Sequence, residues 1–242
     1  QESETRFRAS FENGPIGMAM LNLDQVILKA NRALGEILGC DPADLVGQPM
    51  QALVHPEDQP KRKAHVDAVL TGRAEGYQLE KRLLHRDGDL IWVNANLVVI
   101  RDSLGFPLYL LSQIVDITER RRAEEQLRHL ANYDPLTDLI NRRRFQQVVE
   151  AELEQAGGRP AQGALLFLDF DQFKFVNDTL GHRAGDDLLR SLARVLADTL
   201  GERGSVARLG GDEFAVLVPG TDAAGAEVVA TEVLSAVRAH ME

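Results

Sequence analysis

Apolar residues recur along the chain with two different periods, and the places where the period changes mark its elements. Residues 1–12 read as the end of an incoming helix stopped by Asn13-Gly14-Pro15. Two short strand-like runs, GMAMLNL and QVILKA, follow between Ile16 and Ala30. Residues 31–46 then hold two short helical pieces, each closed by a glycine. His55-Pro56-Glu57-Asp58 opens a longer helix reaching Gly72, because proline suits a first turn and acids suit a helix N-terminus. Period two takes over in three runs, Gly76–His85, Leu90–Ile100 and Pro107–Asp116, separated by RDGD and RDSLG turns. This order predicts a small antiparallel sheet with helices on one face, an α+β domain over residues 1–118.

Residues 116–132 (DITERRRAEEQLRHLAN) return to helical spacing, with Thr118 as a candidate cap and Glu124–Arg128 as a supporting pair. Ala123, Leu127 and Leu130 make a stripe too narrow to bury itself, which suits a two-helix seam between copies; a helix packed on its own domain is the alternative. Residues 119–133 are thus a linker and 134–242 a second domain. There, a helix through NRRRFQQVVEAELEQA is stopped by Gly157-Gly158. The run ALLFLDF, apolar on both faces, predicts a central buried strand. Leu188, Leu189, Leu192, Val195 and Leu196 form a helical stripe, and a last helix spans about 222 to 239. Between these helices lies VARLGGDEFAVLVP, two apolar runs about Gly210-Gly211, read as a tight hairpin because glycine takes positive φ without steric cost.

Composition narrows the chemistry. A formal charge of −10 argues against nucleic acid as a partner, and an acidic chain that handles phosphates needs metal ions or local cations. The single cysteine, Cys40, excludes an internal disulfide and the multi-cysteine zinc patterns, consistent with a reducing compartment. No apolar run has membrane-spanning length, and no signal peptide is evident. The chain opens at Gln1 rather than at methionine, so the expectation is a piece of a longer protein, with a membrane anchor or further domain elsewhere.

Asp169, at the end of a predicted strand, and Asp212–Glu213, in the hairpin turn, are carboxylates from elements expected to neighbour each other in one sheet. Three such acids suit a hard cation such as Mg²⁺, which keeps positions open for phosphate oxygens. The P-loop and the G-x-G-x-x-G cradle are both missing. Asn177 and Asp186 fit a guanine edge, an amide beside a carboxylate that accepts adjacent N–H groups; a turn and a helix N-cap are their ordinary alternatives.

The stretch from Arg6 to Thr118, through HPED and LLHRDGDLIWVNANLVVIRD to DITERRRAEEQL, resembles a PAS domain with its trailing PAC segment. That resemblance implies a five-stranded antiparallel sheet with flanking helices and leaves the ligand unknown. Cys40 lacks the context of flavin-thiol PAS domains and reads as a small hydrophobe; His65 reads as a solvent-facing helix residue rather than a haem ligand; Trp92 reads as packing on the sheet. DPLTDLINRRRF, DFDQFKFVNDTLGHRAGDDLL and RLGGDEF resemble the diguanylate cyclase, or GGDEF, family. It implies a polymerase-palm-like sheet among helices and the condensation of two GTP into cyclic di-GMP by a cytoplasmic homodimer paired through the PAS domain and linker. By that resemblance Asp169, the Phe170 carbonyl, Asp212 and Glu213 hold two Mg²⁺, with Asp212 and Glu213 catalytic. Asn177 and Asp186 read guanine, and Lys174 and Arg208 lie near the phosphates. The family's inhibitory R-x-x-D falls on Gly201 and Gly204, so product feedback there is expected to be missing. The family pattern also continues past Glu242, so the second domain is expected to be incomplete, and a phosphodiesterase (EAL) domain can follow it. A catalytically silent GTP-binding module acting on such a domain or an unseen partner is the alternative.

Overall fold

The structure is a computed structural model that describes residues 9–155 and 162–241. The predicted incoming helix is seen at residues 9–13; its first eight residues, and the Gly157-Gly158 stop, lie outside the described residues. Two compact units divide between Ala123 and Glu124.

The first unit is the predicted α+β domain. Strands β1 (Gly17–Leu21), β2 (Ile27–Ala30), β3 (Gly76–Leu84), β4 (Leu90–Arg101) and β5 (Pro107–Asp116) form one antiparallel sheet in the order β2-β1-β5-β4-β3. Three helices interrupt the strands: α1 (Arg32–Leu38), α2 (Pro42–Leu45) and α3 (Gln59–Leu70). Alternation along β3 and β4 turns Leu79, Leu83, Val93, Ala95 and Leu97 onto a core completed by Leu34 and Leu38 of α1 and by Val66 and Val69 of α3. At its centre is Asn31, fully buried, a residue to which the sequence reading gave no role. Its side chain accepts from the Met18 and Leu34 backbone N–H groups (2.8 and 3.0 Å) and donates to the Phe11 and Ile16 carbonyls (2.9 and 2.8 Å). One amide thus caps α1 and ties it to β1 and the N-terminal turn.

Two buried cations also share this interior, Arg62 on α3 and Lys81 on the inward face of β3, each 2% exposed. Burial, and then repulsion by Arg62, lower the Lys81 amine from its ordinary value to about 7.

Helix α4 (Thr118–Asn132) leaves the sheet at Asp116, whose carboxylate accepts the Thr118 N–H at 2.8 Å. The Thr118 hydroxyl itself turns to the sheet and accepts from the Trp92 N–H (3.0 Å). Along α4, Leu127 and Leu130 are 67% and 56% exposed, as their narrow stripe predicted.

In the second unit a turn at 134–139 and the short strand β6 (Ile140–Asn141) precede α5 (Arg142–Gln155), so the helix starts later than the sequence suggested. Strand β7 (Gly163–Leu168), helices α6 (Phe173–Leu180) and α7 (His182–Leu200), the hairpin β8 (Ser205–Gly210) and β9 (Glu213–Pro219), and α8 (Ala223–Met241) follow. The mixed sheet runs β6-β8-β9-β7, with β6 parallel to β8 and the other pairs antiparallel. The central buried strand is β9, not β7. Phe214, Val216 and Val218 face α7 and α8, while Ala215 and Leu217 face Phe145 of α5. Strand β7 has a neighbour only on its β9 side among the described residues, and Leu165 and Phe167 are 45% and 71% exposed. FAVLV and ALLFL carry the same two-faced apolar signature, which periodicity alone cannot rank.

Two stability outcomes follow from these buried polar groups. Asn31→Ala removes four side-chain bonds to backbone groups and is expected to cost roughly 2–4 kcal/mol in urea unfolding followed by Trp92 fluorescence; a cost below about 1 kcal/mol contradicts the assigned hydrogen bonds. Below pH 7 Lys81 is charged in folded and unfolded chains alike, and the burial penalty is felt in full. As pH rises from 7 to 10.5 the folded chain releases that proton before the unfolded one, so stability climbs. Lys81→Met should therefore stabilise the domain most below pH 7, by on the order of a few kcal/mol, with the gain fading toward pH 10. A gain independent of pH contradicts this.

Candidate functional site

The register of the second sheet assembles the acidic end. Leu168 of β7 lies opposite Phe214 of β9, so the next residue along, Asp169, reaches the strand end beside Asp212 and Glu213. The Phe170 and Phe214 rings pack edge to face at 5.6 Å and anchor the two chain segments to each other. Asp169 is exposed rather than held on a buried strand, because β7 pairs only with β9 among the described residues. Asp212 is half-buried, and neither carboxylate has a hydrogen bond or ion pair to a described residue. Glu213 instead pairs with Arg142 at 3.1 Å, and Arg142 also donates to the Leu209 carbonyl at 3.0 Å.

The hairpin turn is open above its backbone. Gly210 and Gly211 take φ of 142° and 56°, and a Cβ placed on either meets no atom within 4 Å. Positive φ demands glycine here, and the bare backbone leaves room for a bulky group over the turn. No group of three His, Cys, Asp or Glu among the described residues is close enough to enclose a metal ion. The convergence of three acids is therefore looser than the sequence predicted. Two unpartnered carboxylates fit a hard cation that takes its other ligands from phosphate oxygens and water.

Arg208 is tied to the turn itself. Its Nε and Nη2 both donate to the Gly211 carbonyl (3.0 and 2.7 Å), and Nη1 donates to Asp134 at 2.9 Å. The guanidinium fixes the turn from inside with three of its five N–H donors. Asp134 also accepts from the Leu136 and Thr137 N–H groups and the Thr137 hydroxyl. Burial raises its pKa, but the Arg208 and Thr137 bonds outweigh this and hold the carboxyl below its ordinary value. The sequence reading gave Asp134 no role. The four-residue DPLT turn, with an acid ahead of Pro and Thr, was the available signal.

Asn177 on α6 and Asp186 on α7 are half-buried and brought near each other by the Gly181 bend, which has φ 86°. Gly185 permits the approach: a Cβ there would lie 2.0 Å from the Asn177 side-chain oxygen. Asp186 lies within α7 and is not its N-cap. Lys174 is exposed in the first turn of α6, without an assigned partner among the described residues. Arg203, near the expected inhibitory position, is held by Glu232 at 2.7 Å and by the Thr199 and Leu200 carbonyls.

In the first unit, Cys40 is a half-buried free thiol against the core, its pKa pushed up chiefly by burial. His65 is not simply solvent-facing: its ring meets the Tyr77 ring edge-on at 5.5 Å, and its Nδ1 lies 2.7 Å from the Lys61 carbonyl. Trp92 packs on the sheet as expected, with the Arg121 guanidinium 4.0 Å from its ring centroid and that of Arg82 at 5.5 Å. No described helix is long and apolar enough to cross a membrane.

Comparison with known proteins gives both halves a counterpart. Residues 131–242 match the family described as "Diguanylate cyclase, GGDEF domain", and residues 27–114 match "PAS fold". A probable diguanylate cyclase, DgcE of Escherichia coli K12, is 43% identical over 124 residues, 51% of this chain and 11% of the relative. The cyclic di-GMP phosphodiesterase PdeR of the same organism is 31% identical over 212 residues, 88% of this chain and 32% of the relative. The chain thus spans at most about a third of the length of these two relatives. Among solved structures, the coiled coil and GGDEF domain of DgcB from Caulobacter crescentus, in complex with c-di-GMP, is 32% identical with a TM-score of 0.45, covering 48% of this chain and 61% of that one.

The Gly185 contact gives a direct check. Gly185→Ala should displace Asn177 and leave the fold intact, seen as amide shifts centred on α6 and α7 in NMR spectra. Unchanged Asn177 side-chain signals contradict the close approach.

Proposed function

The chain carries a PAS fold followed by a GGDEF domain, and from that pairing we propose that it condenses two GTP into cyclic di-GMP under control of its PAS domain. The observation that carries the reading is the pair of unpartnered carboxylates, Asp169 and Asp212, at adjoining strand ends beside a turn with no side chains above it. Asp169, the Phe170 carbonyl and Asp212 would hold Mg²⁺, with Glu213 supporting a second ion from its Arg142 pair. Bound there, Mg²⁺ would neutralise charge on the phosphoryl oxygens and lower the pKa of the attacking hydroxyl.

The remaining residues bind and orient. Asp186 would accept the N1–H and N2–H of guanine, and the Asn177 amide would meet the adjoining ring edge; adenine offers the wrong donors. Lys174, exposed and without an assigned partner among the described residues, would contact the phosphates, while Arg208 would position the turn beside them. In the reaction each GTP 3′-oxygen attacks the α-phosphorus of the other, giving up its proton as pyrophosphate leaves. One domain offers one nucleotide site, so two copies must face each other. The exposed Leu127 and Leu130 stripe of α4 supports pairing through the linker. A GTP-consuming domain of this kind works in the cytoplasm.

A second reading has its own observation: the longest of the two curated matches is to a phosphodiesterase, and it runs through both halves of this chain. In that reading the GGDEF half binds GTP without turnover and acts on another domain.

Incubation of the chain with GTP and Mg²⁺, followed by mass spectrometry, separates the two. We expect cyclic di-GMP from the wild type and at least a 100-fold loss in Asp212→Ala and in Asp169→Ala, of the order seen on removing one electrostatic contact to a transition state. GTP binding with no product in any of the three supports the second reading and overturns the first.

A further inference from the structure

We propose that Arg142 holds the place of a divalent cation at Glu213 and yields it when an ion binds. The inference rests on the cation-binding reading of the hairpin turn given above, and adds a residue outside the three acids that sets how readily a second ion enters. The register puts Arg142 there. Ile140 and Asn141 of β6 pair with Ala207 and Arg208 of β8, so the next residue, at the start of α5, falls beside Leu209. Its Nε donates to the Leu209 carbonyl at 3.0 Å and its Nη2 to the Glu213 carboxylate at 3.1 Å. One side chain thus touches the turn on both sides of Gly210-Gly211. Of the three acids at this end of the sheet, Glu213 alone has an assigned partner among the described residues.

Two arginines therefore hold one turn, one firmly and one loosely. The Arg208–Asp134 pair is largely buried, and the same guanidinium grips the Gly211 carbonyl twice. The side chains of Arg142 and Glu213 are 65% and 57% exposed and meet through a single bond. A hydrated pair of that kind is weak, and a competing charge can break it. Charge balance identifies the competitor. Asp134 neutralises Arg208, so the three acids of the site face one remaining cation, Arg142, and the two negative charges left over are what a single divalent ion satisfies. Glu213 opens to a second ion only when Arg142 leaves it, and triphosphate oxygens bring the negative charge that this ion then needs. The Leu209 carbonyl can keep Nε meanwhile, so the displaced guanidinium stays at the turn with its Nη groups free for a phosphate oxygen.

The test titrates the whole chain with Mn²⁺ alone, a hard ion that takes the same oxygen ligands as Mg²⁺, and reads binding from the loss of the free-ion electron paramagnetic resonance signal. It involves no turnover. Arg142→Gln should bind Mn²⁺ about two- to fivefold more tightly than the wild type, the range expected for removing one exposed ion pair. Arg142→Lys, which keeps the charge, should bind as the wild type does. In a Glu213→Gln background the gain from Arg142→Gln should largely disappear. Affinity that is unchanged or weaker in Arg142→Gln overturns the proposal, since an arginine that merely orients Glu213 would strengthen the site. A gain of equal size without the Glu213 carboxylate overturns it as well. If no chain binds Mn²⁺, or if Asp169→Ala and Asp212→Ala bind it as the wild type does, the cation reading of the turn falls and takes this proposal with it.

Discussion

The second domain depends on a half-hidden ion pair, Arg208 with Asp134, whose side chains are 12% and 17% exposed. One guanidinium ties the Gly211 carbonyl of the signature turn to the acid that opens the domain, 74 residues earlier in sequence. With its backbone fixed from beneath, the turn can present Asp212 outward unpaired. Reached by water, that carboxylate stays hydrated and has no protein group to displace. The bonds from Arg208 use three of its five N–H donors to hold the turn in place.

The PAS fold has an analogous arrangement on the outer face of its sheet. Asp58 and Glu57 hold Arg82; the Arg82 guanidinium lies over Trp92; and Arg121, in the first turn of α4, lies over the same ring while pairing with Glu80. Arg120 joins Glu80 at 2.7 Å, and the two arginines hold that carboxyl below its ordinary value, Arg121 foremost. Cations on an aromatic face, closed by carboxylates, make a continuous network from the start of α3 to the start of α4. The first turn of the linker is thus fastened to the sheet, while its later Leu127 and Leu130 are left exposed. A helix bound at one end and apolar along an exposed stripe is suited to transmit a small change in the sheet.

Much of this was legible in the sequence. Alternation in YQLEKRLL and LIWVNANLVVI gave the antiparallel sheet to within a residue or two, since one face is buried and the other wet. Gly210-Gly211 gave the hairpin, because positive φ leaves few other residues. What failed was the ranking of two equally apolar strands: β9, not β7, takes the centre, so Asp169 is exposed rather than sequestered. Partnerships between distant residues also escaped. Nothing local to Arg208 reveals that Asp134 will claim it, and nothing near Asn31 shows four backbone groups converging on its amide. Lys81 was in principle readable, since it falls in phase with Tyr77, Leu79 and Leu83 on the buried face. A charge in step with apolar neighbours is a signal worth weighing in any strand.

The central claim is that Asp169 and Asp212 make a cation-dependent seat for a guanine nucleotide. Isothermal titration calorimetry of the chain with GTP and with ATP, each with and without Mg²⁺, tests it most directly. The account predicts one GTP per chain, bound only with Mg²⁺, and ATP at least tenfold weaker, about 1.4 kcal/mol or more. Equal binding of the two nucleotides, or GTP binding that ignores Mg²⁺, would contradict it.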